Sequence, residues 1–228
     1  MRGFLERLKP ISREMPILIG IIAICALLFA ADLLGAKAWT SEHLAARPRN
    51  LEQAWQHLLD GDLSGATFAS LATLVTSAFL HGSFAHLGFN MLYLWIFGFL
   101  VARLVGHGWM LIVFLLAAVG GVIGHTLLNR GEMIPLVGAS GAIMGLEGAY
   151  LGMFIRWRLP NPDVWPLAHP IPPAQLLALV ALGLFIDYTS IMQNVESSTA
   201  FGAHVGGFLA GVFIGSFLLI RPNNIEPR

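Results

Sequence analysis

The sequence predicts an all-α membrane protein, a single bundle of six transmembrane helices with both termini cytoplasmic. Three observations lead there. Hydrophobic residues make up 56% of the 228 positions and charged residues only 11%, with a mean hydropathy of +0.72. A soluble domain usually carries about a quarter charged residues. Six apolar runs approach the length of about 20 residues that a helix needs to cross the hydrocarbon core. Lys and Arg are also distributed unevenly between the segments that join these runs.

The runs fall at 16–34, 83–105, 109–128, 136–155, 173–192 and 201–220. Continuous apolarity over such lengths favours helices, and the alternating short segments of a β-barrel are missing. The first run is too long for the core of a signal peptide and no small-residue cleavage site follows it, so it is expected to stay as an anchor. Residues 1–15 form a short cytoplasmic segment before it. With the N-terminus inside, nine Lys and Arg residues lie in inner segments and four in outer ones, in line with the positive-inside rule.

The long outer loop, 35–68, contains LEQAWQHLLD. Leu51, Ala54, Trp55, Leu58 and Leu59 share one helical face, which suits a helix lying in the membrane interface and equally an ordinary surface helix. Residues 69–220 form the expected core, with 69–80 leading into the second span. PLAHPIPP, between spans four and five, reads as a proline-rich turn. There is no internal repeat and no second domain. The formal net charge is zero, so nothing points to nucleic acid. The single cysteine, Cys25, rules out an internal disulfide framework or a thiolate metal cluster.

Spans two, four and six all run inward, and each carries unusual polar residues near its start. HGSFAHLGFN places His81 just ahead of span two and His86 and Asn90 within it. GASG places Ser140 near the start of span four, and FGAHVGG places His204 near the start of span six. At 1.5 Å per residue, Ser140, His86 and His204 should lie roughly 5–10 Å below the outer surface. Polar groups at that depth are costly and normally face the bundle interior or a water-filled cavity.

This set suits serine hydrolysis. A serine hydroxyl is a weak nucleophile until a neighbouring base takes its proton, and neutral histidine is the usual base near pH 7. Gly207, Gly211 and Gly215 share the face of His204. Gly141, Gly145, Gly148 and Gly152 form a similar stripe after Ser140, and small residues at such spacings let helix backbones approach closely. Ser140 also starts a helix, whose first N–H groups have no intrahelical partners and would meet an oxyanion. His86 and Asn90, at i and i+4, could add donors.

Each residue alone has a plainer explanation. GASG suits close packing with the hydroxyl bonded to its own backbone, His204 suits a backbone carbonyl, and His86 with Asn90 suits an interhelical hydrogen bond. Their shared depth favours a site. Glu147, two turns below Ser140, reads as a structural residue, and Asp187 as a snorkelling group near the outer end of span five. Tyr93, Trp95, Phe97 and Phe99 read as lipid-facing or packing surface, and mid-span His125 as a packed polar residue.

Taken together, HGSFAHLGFN, GASGAIMG and AHVGGFLAG resemble the rhomboid intramembrane serine proteases. The match covers about 85–220, with all three motifs in the family's order. The resemblance implies six helices around a water-accessible site open to the outer face, and a Ser–His dyad. It implies Ser140 as nucleophile, His204 as general base, and His86, Asn90 and the Ser140 amide as oxyanion hole. Gly138 would shape that loop, Gly141 would admit neighbouring backbone, and His81 would support the site by hydrogen bonding.

Substrates would be membrane-anchored proteins cut near the outer end of their transmembrane segment. The chain departs from the family pattern at Met144, where many members have an aromatic residue, and in its first outer loop. There the frequent Trp-Arg pair is replaced by Trp39-Thr40 and Trp55-Gln56.

The expected function is therefore an intramembrane serine endopeptidase of a bacterial inner (plasma) membrane. It would need no metal or organic cofactor, and its partners would be transmembrane substrates and membrane lipids. The alternative is a non-catalytic rhomboid-like protein that binds transmembrane helices. HExxH, which a zinc intramembrane protease would carry, is absent, as are paired aspartates and the inverted repeats of a transporter.

Overall fold

A computed structural model describes residues 15–159 and 201–219, with a few positions between 172 and 185. Every regular element among them is helical apart from an isolated bridge. Among the described residues, four helical stretches are long and apolar enough to cross a membrane: Pro16–His43, Phe84–Val105, His107–Leu128 and Phe201–Leu218. The predicted span 173–192 falls largely outside the described residues, and so does Asp187.

Helix α1 (Pro16–Ala31) begins with proline at its first position, where the missing N–H costs nothing. Leu18, Ile21 and Cys25 are buried on its inner face. A π-helical turn at Asp32–Ala36 follows and breaks at Gly35, whose φ is 107°, a conformation open mainly to glycine. The outer loop is thus not irregular chain. It holds α2 (Lys37–His43), α3 (Pro48–Leu59) and α4 (Gly65–Thr76). In α3, Leu51 and Ala54 are buried while Trp55 and Leu59 are exposed, so the apolar face read from the sequence divides in two.

Asp62 secures the turn into α4. Its carboxylate accepts from the Ser64 N–H at 2.9 Å and from the Thr67 hydroxyl at 3.0 Å. These donors, the backbone one foremost, hold its pKa below the ordinary 3.8. A 3-10 turn, Ser77–Phe79, then leads to α5 (Phe84–Val105). Gly106 ends α5 at φ 89°, and α6 (His107–Leu128) returns. The aromatic cluster is mixed: Phe97 and Phe99 are buried, Tyr93 and Trp95 half-buried. His125 lies in the last turn of α6, not mid-span, with its Nδ1 3.2 Å from the Asn129 amide.

Helix α7 (Ser140–Arg156) is shorter than the predicted run. Residues 136–139 are loop, held out by the bridge between Leu136 and Ala46, so Ser140 is the first helical residue and not the fifth of its span. Helix α8 (Phe201–Phe213) continues through a π-helical turn, Ile214–Leu218. The core is a three-helix centre of α6, α7 and α8, with α5 against α7 and α1 against α5.

Glycine makes that centre. A Cβ on Gly207 would collide with the Gly141 carbonyl, one on Gly211 with that of Gly145, and one on Gly215 with that of Ala149. This is the predicted seam of spans four and six. Helix α8 has a second seam that the motif reading missed. A Cβ on Gly124 of α6 would lie 2.5 Å from the Gly202 carbonyl and 2.9 Å from the Gly206 Cα. Helix α8 is therefore gripped on two faces with almost no side chain between backbones.

Candidate active site

Ser140 stands at the N-terminus of α7, half-buried, with no side-chain cap ahead of it. The preceding loop is tied in from three directions. Gly138 N–H donates to the Ser77 carbonyl at 3.0 Å. Leu136 and Ala46 exchange both backbone hydrogen bonds, at 2.7 and 3.2 Å, and Arg49 N–H reaches the Glu132 carbonyl at 3.0 Å. The outer loop thus braces the segment that delivers the hydroxyl. None of these backbone links has a side-chain signature, which is why the sequence could not show them.

Gly138 adopts a φ of 127°, and a Cβ there would lie 2.6 Å from His86 Nε2 and 3.8 Å from Ser140 Oγ. The glycine therefore brings the imidazole against the Ser140 loop. Ser83 caps α5 by accepting the His86 N–H at 3.1 Å, and the Gly82 N–H points to His86 Nδ1 at 3.4 Å. With Nδ1 accepting, the proton of a neutral ring sits on Nε2. That nitrogen is the one facing the Gly138 and Ser140 loop, as a donor.

Asn90, one turn along α5, is buried, and its amide donates to the His86 carbonyl at 2.8 Å. His81 is buried as well, its ring set edge to face with His86 at 5.1 Å. Burial first, and then the neighbouring imidazole, pushes His81 down to about 4, so it is neutral at physiological pH. Neither ring nitrogen of His81 has a hydrogen-bond partner among the described residues, so it meets His86 by ring contact and not through the hydrogen bond the resemblance implied.

His204 approaches from α8. The preceding residue, Ala203, sets its carbonyl 3.0 Å from where a Gly141 Cβ would be. The same carbonyl lies 2.9 Å from the corresponding point on Gly121. Ser140 and His204 thus flank a contact of three helices through Gly141, Ala203 and Gly121. The void there is only about 10 Å³, bounded by Ser77, Gly138, Ser140 and Ala203 among others. Met144, one turn below Ser140, and Glu147 are both buried in α7. Among the described residues no cluster of His, Cys, Asp or Glu could hold a metal ion.

The structure therefore assembles Ser140, His86, Asn90, His81, Gly138, Gly141 and the start of α8 at one end of the bundle. Trp39 and Trp55 of the outer loop are exposed, Trp39 stacking on His43 at 4.8 Å.

Comparison with known proteins gives the arrangement a family. The Rhomboid domain matches residues 69–221. The chain is 33% identical over 151 residues to RHOMBOID-like protein 5 of Arabidopsis thaliana, covering 65% of this chain and 44% of that protein. It is 31% identical over 149 residues to Rhomboid protease GluP of Bacillus subtilis, covering 62% and 26%. It is 29% identical over 159 residues to Rhomboid protein 1, mitochondrial, of Saccharomyces cerevisiae, covering 65% and 42%. The chain thus spans less than half the length of these relatives. The match takes in most of α4, all three polar motifs and both glycine seams, and the chain is a membrane-embedded member of the rhomboid family.

Proposed function

We propose that this chain is an intramembrane serine endopeptidase. It would cleave membrane-anchored proteins within or near the outer end of their transmembrane segment. The observation that carries this reading is the placement of Ser140. It starts a helix with uncapped N–H groups, beside the donor nitrogen of His86, across a glycine contact from the turn that bears His204. The relative named as a protease in Bacillus subtilis supports it.

In this mechanism His204 takes the Ser140 proton as Oγ attacks the peptide carbonyl. The tetrahedral oxyanion is met by the Ser140 amide, His86 Nε2–H and the Asn90 amide. His204 then protonates the departing amine, leaving an acyl-enzyme. Water, activated by the same histidine, hydrolyses that ester and restores the hydroxyl. The chemistry uses side chains and backbone alone. The topology that goes with it has six spans in one domain, both termini cytoplasmic and the site near the outer face of a bacterial plasma membrane.

The test is cleavage of a model membrane-anchored substrate by purified protein in liposomes. Wild type should cleave, and Ser140→Ala and His204→Ala should lose at least about a thousandfold in rate. Equal cleavage by wild type and Ser140→Ala would overturn the mechanism. Substrate binding without cleavage by wild type would favour a rhomboid-like protein that captures transmembrane helices.

A further inference from the structure

A groove of about 910 Å³ opens between α3, α4 and the C-terminal end of α6. Its floor is apolar: Leu51 of α3, Leu71 and Leu74 of α4, and Ile123 and Leu127 of α6. Ile123 and Leu127 are both about half exposed, so the helices do not fill it themselves. Along α6 the floor runs from Ile123 to Leu127, about 6 Å, and Arg130 follows in the turn past the helix end.

The charged groups of the groove gather at its mouth. Thr126 lines the floor, but its hydroxyl is buried and turned away from the open space. At the mouth, in the turn after α6, is Arg130, exposed and in no ion pair among the described residues. Beside it is Glu52 of α3, whose Oε2 accepts the Gly131 N–H at 3.1 Å. That bond fixes the carboxylate at the mouth. Trp55, exposed on the same helix, has the ring type that favours the headgroup level of a bilayer.

An acyl floor with a cation and an anchored carboxylate at one mouth matches the parts of one molecule. We propose that this groove holds a single phospholipid with an ethanolamine headgroup. The acyl chain lies on the leucine and isoleucine floor. Arg130 takes the phosphate, and Glu52 takes the primary ammonium. A choline headgroup offers no N–H to Glu52, and a glycerol headgroup offers no cation. The inference rests on the membrane embedding of the chain and not on its protease activity.

Native mass spectrometry of the full chain in mild detergent tests it. The probes are phosphatidylethanolamine, phosphatidylcholine and phosphatidylglycerol with identical acyl chains. Wild type should retain one phosphatidylethanolamine, and the other two about fivefold less, the scale of one interfacial charge contact. Arg130→Gln should lower retention by about fivefold. Glu52→Gln, which keeps the acceptor for Gly131, should erase the preference for ethanolamine over choline.

Ile123→Trp, which fills the floor, should prevent retention, while Leu27→Trp on the exposed face of α1 should not. Thermal unfolding of each variant separates lost binding from lost folding. Equal retention of the three lipids would overturn the proposal, as would retention unaffected by Arg130→Gln and Ile123→Trp. Displacement by a transmembrane peptide would also overturn it, and would make the groove a protein dock. Displacement by chainless glycerophosphoethanolamine would overturn the acyl part.

Discussion

Gly207→Leu is expected to abolish proteolysis while leaving most of the helical content in place. Residue 207 lies three positions after His204 on the same face of α8, and a Cβ there collides with the Gly141 carbonyl. Gly141 is the neighbour of Ser140. Relief of the collision requires α8 to move away from α7 where the dyad must form. Displacement of a reacting group by about 1 Å costs on the order of a hundredfold in rate, and a leucine demands more. Overpacking of a well-filled interior also costs about 1–3 kcal/mol in stability, so the variant should unfold at lower temperature.

Gly207→Ala should show the same effects in weaker form. Gly20→Ala is the control, since a Cβ there meets nothing within 4 Å. Cleavage by Gly207→Leu at the rate of Gly20→Ala would contradict the proposed dependence of the dyad on the seam.

The second large effect concerns the oxyanion hole. His86→Ala should lower turnover by about a hundred- to a thousandfold, the usual loss for one such donor, with a smaller change in KM. Asn90→Ala should act in the same direction, lowering turnover more than it weakens substrate binding. Gly138→Ala makes the account more exposed to refutation, because it removes no donor. It forces an unfavourable backbone conformation at φ 127° and drives a methyl group into the His86 ring. Its loss should resemble that of His86→Ala, and the double variant should be little worse than either single one, since both act on one ring. Additive losses would show that Gly138 and His86 serve separate purposes. A loss confined to KM would remove His86 from the oxyanion hole.

Much of this site was legible in the residues because membrane burial makes polar side chains expensive. His86, Asn90, Ser140 and His204 each stand out against apolar surroundings, and their positions near the starts of alternate spans suggested one layer. The stripe of Gly207, Gly211 and Gly215 was equally readable, because a three- to four-residue repeat of glycine has few uses other than close approach. The second seam was harder to read. Gly120 with Gly124, and Gly202 with Gly206, each repeat at four residues, but the repeat does not say which helices pair, and only the packed structure reveals that these two meet.

Two features were hidden for physical reasons. The long outer loop carries little continuous apolarity, so its three helices were visible only as one amphipathic stretch. The bonds that place it against the Ser140 loop are Ala46 to Leu136, Arg49 to Glu132 and Gly138 to Ser77, all between backbone groups. Backbone pairing of this kind leaves no trace in residue identity. The same bridge explains why α7 starts at Ser140 while the apolar run begins earlier. Hydropathy does not distinguish buried loop from helix, and residues 136–139 spend their hydrogen-bonding groups on the outer loop and the 3-10 turn.

The central claim is that Ser140 is a nucleophile activated by His204, and covalent trapping tests it most directly. Purified protein treated with a fluorophosphonate should gain one adduct, located by peptide mass spectrometry on Ser140. Labelling should be lost in His204→Ala, because the hydroxyl then has no base, and in Ser140→Ala. It should persist in Gly20→Ala. Cleavage of a membrane-anchored substrate should fall in step with the labelled fraction. Full cleavage activity after complete labelling of Ser140, or equal labelling of wild type and His204→Ala, would contradict the dyad.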